Sequence, residues 1–427
     1  MMLSHKARKV AVLGVAAALL MTGCGRDAGA PAGAAASAVP IASGKATGTI
    51  TVWAQAEEGA ALPQLAKDFE AANPGVKVNV TAVPWDAAHN KYQTAIAGGT
   101  TPDVAQMGTT WMSDFSDAFE PVPSEVDTSG IFPGALKTTE VAGTHVGVPW
   151  YVDTRVVYYR TDLAAKAGHD TFPTTWDGFK SLAKDLQTKA GAKFGVRLPV
   201  GEGDSFQSML PFPWSNGAQL VNEDSTKWTL DTPEMVDALK YYNSFFEEGI
   251  ADKSPATGAG AGEAAFVNGT VPMLIAGPNA IGQLEKAGGP GFADKFSVGM
   301  IPKEKTATSF VGGSDLVVFK KSQNRDTAWK FIQYLSQPEV QTKWYKLTGD
   351  LPAKQASWTD ASLSGDAKLA VFGDQLKDTN SPPAVTTWTQ VGAAADTQLE
   401  QIIRAGKDPA VAMKELQSTA DSAGTGH

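Results

Sequence analysis

Residues 148–162 read VPWYVDTRVVYYRTD. Valines and tyrosines make this stretch a strand, because β-branched and aromatic side chains suit a pleated, half-buried surface. Trp150, Tyr151, Asp153 and Arg155 interrupt it. An ionised aspartate among apolar neighbours costs free energy unless something pairs with it. That partner is either a core group or a ligand, and the surrounding chain bears on the choice.

Upstream, strand and helix patterns alternate from the first folded residues. GTITVW (48–53) alternates Ile50 and Val52 with Thr49 and Thr51, and a helix follows with Leu62, Leu65, Phe69 and Ala72 on one face. Asn73-Pro74-Gly75 stops that helix. Val76, Val78 and Val80 then repeat at period two, and Trp85, Ala88, Tyr92 and Ile96 mark a second amphipathic helix. GGTTPDVAQM leads through a turn into a short strand, after which Trp111, Phe115 and Phe119 repeat every four residues. This βαβαβα order builds an open sheet covered by helices, and ligands of such sheets bind at the carboxyl ends of strands.

Downstream the pattern is more helical. PTTWDGFKSLAKDL (173–186) sets Trp176, Phe179, Leu182 and Leu186 on one stripe behind an N-cap at Thr175. In DTPEMVDALKYYNSFF (231–246), Thr232 is the N-cap, Pro233 opens the helix, and Met235, Leu239, Tyr242 and Phe246 form the stripe. Further strands are expected at 271–276, 296–301 and 315–319. Helices follow around Phe331, Ile402 and Met413. The class is α/β, with more strands than one small sheet holds.

The amino terminus indicates export. His5, Lys6, Arg8 and Lys9 precede an apolar run from Val10 to Met21, too short to span a bilayer and suited to the centre of a signal peptide over residues 1–23. LMTGC, ending at Cys24, resembles a bacterial lipobox, with Met21 where leucine is usual. The resemblance implies that Cys24 is lipidated and holds the protein on the outer face of the membrane. Cys24 is the only cysteine, so no disulfide forms within the chain. Residues 24–47 are nearly all Gly, Ala, Ser and Pro and read as a flexible tether, with a reach of roughly 25–30 Å by coil statistics.

About 380 residues remain, enough for two lobes with separate cores. A formal net charge of −9 argues against nucleic acid, whose phosphates require clustered Lys and Arg. No repeat of fixed period appears.

The segments ITVWAQAEEGAALPQLAKDFEAANPGVKVNV, GTTPDVAQM, GVPWYVDTRVVYYRTDLAAKAG, FVNGTVPMLIAGPNAIG, VGGSDLVVF and DTAWKFIQYLSQPEVQTKW resemble, in this order, the maltose-binding-protein-like family of ABC importer solute-binding proteins. The likeness runs from residue 48 to the end. It implies a two-lobed, periplasmic-binding-protein-like α/β fold with a hinge and a ligand in the interlobe cleft. The first crossing between lobes then falls in 148–162. Residues 48–152 plus 296–336 would form one lobe, and 153–295 plus 337–427 the other. The implied function is non-enzymatic capture of a sugar, a di- or oligosaccharide, for the permeases of an ABC importer, by a monomer without a cofactor.

A sugar site needs flat aromatic surfaces for C–H faces, and carboxylates or amides for hydroxyls. Of eleven tryptophans, Trp53, Trp150, Trp214 and Trp388 fall outside helical stripes, and Trp388 matches a late stacking aromatic of the family. Tyr151 and Asp153 sit at the crossing, and Asp153 matches the family's acidic sugar ligand; its plainer role is a salt bridge to Arg155. Gln55, Glu57 and Glu58 follow the first strand, where a helix start would also favour the two carboxylates. Trp111 follows the third strand. Trp85 opens a helix that faces the cleft in relatives, and it also begins a core stripe. Gly313, Ser314 and Asp315 approach the cleft at the second crossing. Gly277 ends a strand, and Asn279 stands where the family often carries an aromatic after Gly-Pro, which departs from maltose-like binding.

The competing readings are a secreted glycoside hydrolase and a lectin-like surface protein. Glu57 and Glu58 are adjacent and do not oppose each other as an acid and a base. His89, His145 and His169 show no metal-ligand spacing, and GGSDL lacks the frame of a nucleophile elbow.

Overall fold

Ile50 and Val52 are fully buried, and their strand, β1 (Gly48–Gln55), runs at the centre of a parallel trio with β2 (Val76–Val83) and β3 (Val104–Gly108). The computed structural model describes residues 38–201, 203–256 and 260–426. The predicted signal peptide, Cys24 and the tether as far as residue 37 lie outside the described residues. The strand patterns upstream of 148 form as expected. So does helix α1 (Ala56–Ala72), which buries Leu62, Leu65 and Phe69 and ends at Asn73. Helix α2 (Trp85–Gly98) buries Ala88 and Tyr92. The four-residue repeat at Trp111, Phe115 and Phe119 does not make one helix. Only Met112–Phe115 is α-helical, because Phe119 leaves to form an isolated bridge with Phe319.

A small hairpin of β4 (Glu140–Val141) and β5 (Thr144–His145) precedes the stretch that opened the sequence reading. That stretch is two strands, β6 (Val148–Thr154) and β7 (Val156–Arg160), in different sheets. β7 lies between β8 (Met273–Ala276) and β9 (Phe296–Gly299) in a three-stranded antiparallel sheet. β6 joins a seven-stranded sheet with β10 (Ser309–Val318), β11 (Leu351–Pro352) and β12 (Thr379–Asn380), ordered β11-β6-β10-β3-β1-β2 with β12 pairing β10. The chain changes sheet at Arg155.

The crossing is tied on both sides. Thr154 donates its hydroxyl to the Phe310 carbonyl at 2.6 Å, and Ser309 donates to the Arg155 carbonyl at 2.7 Å. The outgoing and returning segments are therefore bonded to each other at the crossing.

Two expected boundaries change. β9, expected to open the returning half of the first lobe at 296, pairs with β7 in the small sheet, so the return lies between β9 and β10. The segment after 337, expected in the second lobe, includes the helix Pro338–Thr348 and β11, which pack on the large sheet: Val340 and Trp344 share a core with Ile50, Val52 and Phe69. Thr175 and Thr232 cap their helices as predicted, accepting from Gly178 N at 3.3 Å and Met235 N at 3.4 Å. These helices and the two closing helices, Trp388–Ala405 and Pro409–Ala423, form a second core beside the small sheet.

The end of the expected tether is held against this body. The Arg325 guanidinium binds the Val39 carbonyl and the Pro40 carbonyl, Ile41 N donates to Glu125 Oε1 at 3.1 Å, and Thr327 donates to the Thr47 carbonyl at 2.7 Å.

Candidate functional site

β1 and β3 are parallel and β10 is antiparallel to both β3 and β6, so β1, β2, β3 and β6 all end on one edge of the large sheet. That edge carries Gln55, Trp85, Trp111 and Asp153. The topology, rather than closeness in sequence, assembles them.

A row of buried polar side chains crosses the sheet just inside this edge. Gln106 Oε1 accepts from Gln55 N at 2.8 Å, and Gln106 Nε2 donates to Ser314 Oγ at 3.0 Å. Ser314 donates to the Tyr151 hydroxyl at 3.0 Å, which donates onward to Glu58 Oε1 at 2.8 Å. Gln55 Nε2 donates to the Tyr92 hydroxyl at 2.9 Å, and Gln55 Oε1 is buried without a hydrogen-bond partner among the described residues. Burial pushes the Tyr92 and Tyr151 hydroxyls well above the usual phenol range, with the Glu58 charge adding to the effect at Tyr151. Both tyrosines stay neutral and serve as donors.

Gly313 makes the approach of β10 to β6 possible. Its φ is +117°, and a Cβ there would stand 2.2 Å from the Tyr151 carbonyl oxygen. The pairing slips between Ser314 and Asp315, so the two side chains have separate surroundings.

Beside the row, at the crossing, lies a cavity of about 330 Å³. Asp153, Arg155, Glu263, Gly277, Asn279 and Gln283 supply its polar groups, and Leu274, Ala276 and Leu284 an apolar wall. Asp153 is ion-paired to Arg155 through Oδ2, while its Oδ1 is buried with no partner among the described residues. A Cβ on Gly277 would come within 2.7 Å of that oxygen. The Gly277 carbonyl accepts from the Tyr158 hydroxyl at 2.7 Å, which fixes the end of β8. This arrangement offers two carboxylates, a guanidinium, two amides and a main-chain turn within one polar hollow. It can bind and orient a polyhydroxylated molecule.

Residues 53–342 match the family described as bacterial extracellular solute-binding protein. The chain belongs to this family. Membership places this solute-binding protein outside the cytoplasm. The sugar-binding protein MalE of Xanthomonas citri superposes with a TM-score of 0.82 at 32% identity, covering 88% of this chain and 97% of its own. The GacH receptor of Streptomyces glaucescens, solved unliganded and with acarbose, gives 0.72 at 25% identity over 88% of this chain and 98% of its own. The diacetylchitobiose-binding protein DasA of Streptomyces coelicolor is 27% identical over 439 residues, 96% of this chain and 97% of its own. These two-lobed relatives are binding proteins, and this chain shares their fold.

Within the solute-binding protein, the expected site residues separate into groups. Gln55, Glu58, Tyr151 and Ser314 meet in the buried row; Asp153, Gly277 and Asn279 meet at the cavity. Trp85 and Trp111 lie together, ring centroids 5.6 Å apart and edge to face, with Trp85 37% exposed. Glu57 is exposed at the start of α1.

Four expectations fail. Trp150 is 1% exposed and stacks on Trp344 at 4.4 Å, in the core behind β6. Trp214 is buried in the core around the small sheet, because the Pro-rich segment that holds it folds as the short helix Pro211–Ser215. Trp388 is also buried there, its ring stacked with Trp228. Asp315 is fully buried and accepts from the Thr138 hydroxyl at 3.1 Å; burial pushes its carboxyl up to about 8.

Sequence reasoning missed Gln106, Tyr92, Glu263 and Gln283 as site residues and took Arg155 only as the partner of Asp153. Gln106 carried a usable signal, a polar side chain inside the apolar strand VAQM. Glu263 and Gln283 carried none, since they are ordinary helix residues until β8 brings their helices to the crossing. Among the described residues, no group of three or more His, Cys, Asp or Glu could hold a metal ion, and no helix is long and apolar enough to cross a membrane.

Proposed function

We propose that this protein captures a saccharide, a di- or oligosaccharide, at the crossing between its two sheets and delivers it to an ABC importer while tethered through Cys24. The single observation that carries the reading is the convergence of Asp153, Arg155, Glu263, Asn279 and Gln283 with the Gly277 main chain around a cavity of about 330 Å³. Carboxylate and guanidinium groups make charge-assisted hydrogen bonds that suit dense hydroxyls. Trp85 and Trp111, which follow β2 and β3 on the same edge of the large sheet, supply the aromatic surface for C–H faces. Two relatives, the diacetylchitobiose-binding protein and the acarbose-binding receptor, support a ligand longer than one ring. Capture would close the hinge by adding contacts available only in the closed form.

The test is thermal unfolding of residues 25–427 against mono-, di- and trisaccharides, with the sugars recovered and analysed. A ligand that binds only the folded state raises the midpoint. We expect a shift with a di- or trisaccharide that is recovered intact. A cleaved sugar would make the protein a hydrolase, and no shift with any saccharide would overturn the reading.

A further inference from the structure

β11 brings one more acidic residue to the site. Leu351 pairs with Val152 and Pro352 with Tyr151, so one step along the antiparallel ladder Asp350 stands opposite Asp153. Residues opposed in this way share a face, and like charges there repel. Glu58 adds a third carboxylate, bonded at 2.8 Å to the Tyr151 hydroxyl two residues before Asp153 on the same face of β6.

The charges facing Asp350 are Glu58 from α1 and Asp153 from β6. Arg155 is engaged by Asp153. From the helix Pro338–Thr348, Lys343 is paired with Asp68 and Lys346 with Asp360, while Trp344 donates Nε1 to Asp350 Oδ2 at 3.1 Å. Because Trp344 is stacked on buried Trp150, core packing fixes this carboxyl in place. Burial, followed by the Glu58 charge, pushes it up to about 7.

We propose that Asp350 is a positioning residue whose neutral form is required for capture, because it leaves Asp153 and Glu58 to act side by side as hydrogen-bond acceptors. Its ionisation sets three carboxylates against one another just as a ligand displaces the water that screens them. Capture therefore takes up a proton wherever Asp350 is ionised beforehand. The inference rests on the saccharide reading above.

The experiment is calorimetric titration of wild type and Asp350→Asn with maltotriose at about pH 6 and about pH 8, in buffers of different ionisation enthalpy. Unfolding midpoints of both proteins are recorded without sugar from about pH 4 to about pH 9. If only the neutral acid is competent, the competent fraction falls about tenfold between these pH values, and so does the wild-type affinity. We expect Asp350→Asn to remove that fall and the proton uptake at the higher pH. Without sugar, the wild type should lose stability as pH rises from about 4 to about 7, because the folded state retains a proton that the unfolded chain releases. The variant should lack this part of the slope.

Equal pH slopes in wild type and variant, in either measurement, overturn the proposal. If Asp350→Asn fails to fold, Glu58→Gln relieves the same repulsion from the other side and should lower the pH at which wild-type behaviour changes. Absence of heat with maltotriose in the wild type at both pH values counts against the saccharide reading, and the unfolding profiles then decide whether Asp350 is held neutral.

Discussion

Asp153 concentrates the chemistry of the crossing. One oxygen meets Arg155 and the other is buried under Gly277 without a partner among the described residues, so the residue is only half satisfied until a donor reaches it. Replacing Asp153 with alanine should weaken saccharide binding by about 1.5–3 kcal/mol, read by titration calorimetry, while the circular dichroism spectrum stays unchanged. Asp315, paired with Pro149 across the β6–β10 ladder, behaves differently. Its carboxyl ordinarily titrates at 3.8 and here at about 8, so the folded state binds the proton more tightly than the unfolded chain. The contribution of Asp315 to stability is then fully present at low pH and is lost as pH rises between those two values. In Asp315→Asn the midpoint should lose this part of its pH slope, with saccharide affinity unchanged because the side chain lies away from the cavity. A slope equal to that of the wild type would show that Asp315 is not held neutral.

At the scale of elements, two positions distinguish packing from binding. Trp388 begins the helix Trp388–Ala405 and packs on Trp228 inside a core. Its truncation to alanine should cost about 3–5 kcal/mol of folding stability in denaturant titration. The variant that remains folded should bind sugar as the wild type does; a specific loss of affinity with normal stability would return Trp388 to the site. Gly313 governs the seam between β6 and β10. An alanine there has to accept both a left-handed φ and a contact of 2.2 Å with the Tyr151 carbonyl oxygen, so it must push the two strands apart. Gly313→Ala should lower the unfolding midpoint and break the hydrogen bonds of the Ser314–Tyr151–Glu58 row. Near-ultraviolet circular dichroism of the adjoining aromatic residues would register that change.

For the whole molecule, the attachment of residues 39–47 shortens the free tether expected from composition. Arg325, Glu125 and Thr327 bind main-chain groups of this segment, so it is part of the folded body. A protein beginning at Gly48 should unfold at a lower temperature than one beginning at residue 25, and equal midpoints would show that these bonds contribute nothing. If Cys24 is the lipid anchor, Cys24→Ser should shift the protein from the membrane fraction to the soluble extracytoplasmic fraction. At a sugar concentration one hundred times Kd, linkage predicts about 2.7 kcal/mol of added stability.

The sequence alone determined the class and order of elements, because hydrophobic period and caps act over a few residues. β1 to β3 and the helices behind Thr175 and Thr232 were legible in this way, whereas the crossing within 148–162 came from the family resemblance. It also placed Asp153 at the crossing through family resemblance. Only the tertiary structure decided which of the candidate aromatics are core rings. Trp150, Trp214 and Trp388 carry no local mark that separates a stacking platform from a core ring, since both are apolar and differ only in what lies opposite. The lobe boundaries at 296 and 337 were beyond local reading for the same reason. Which sheet a strand joins depends on partners far away in sequence, as β9 with β7 and β11 with β6 demonstrate. The opposition of Asp350 and Asp153 arises from that pairing, and so does the cavity between α/β layers that no single segment encodes.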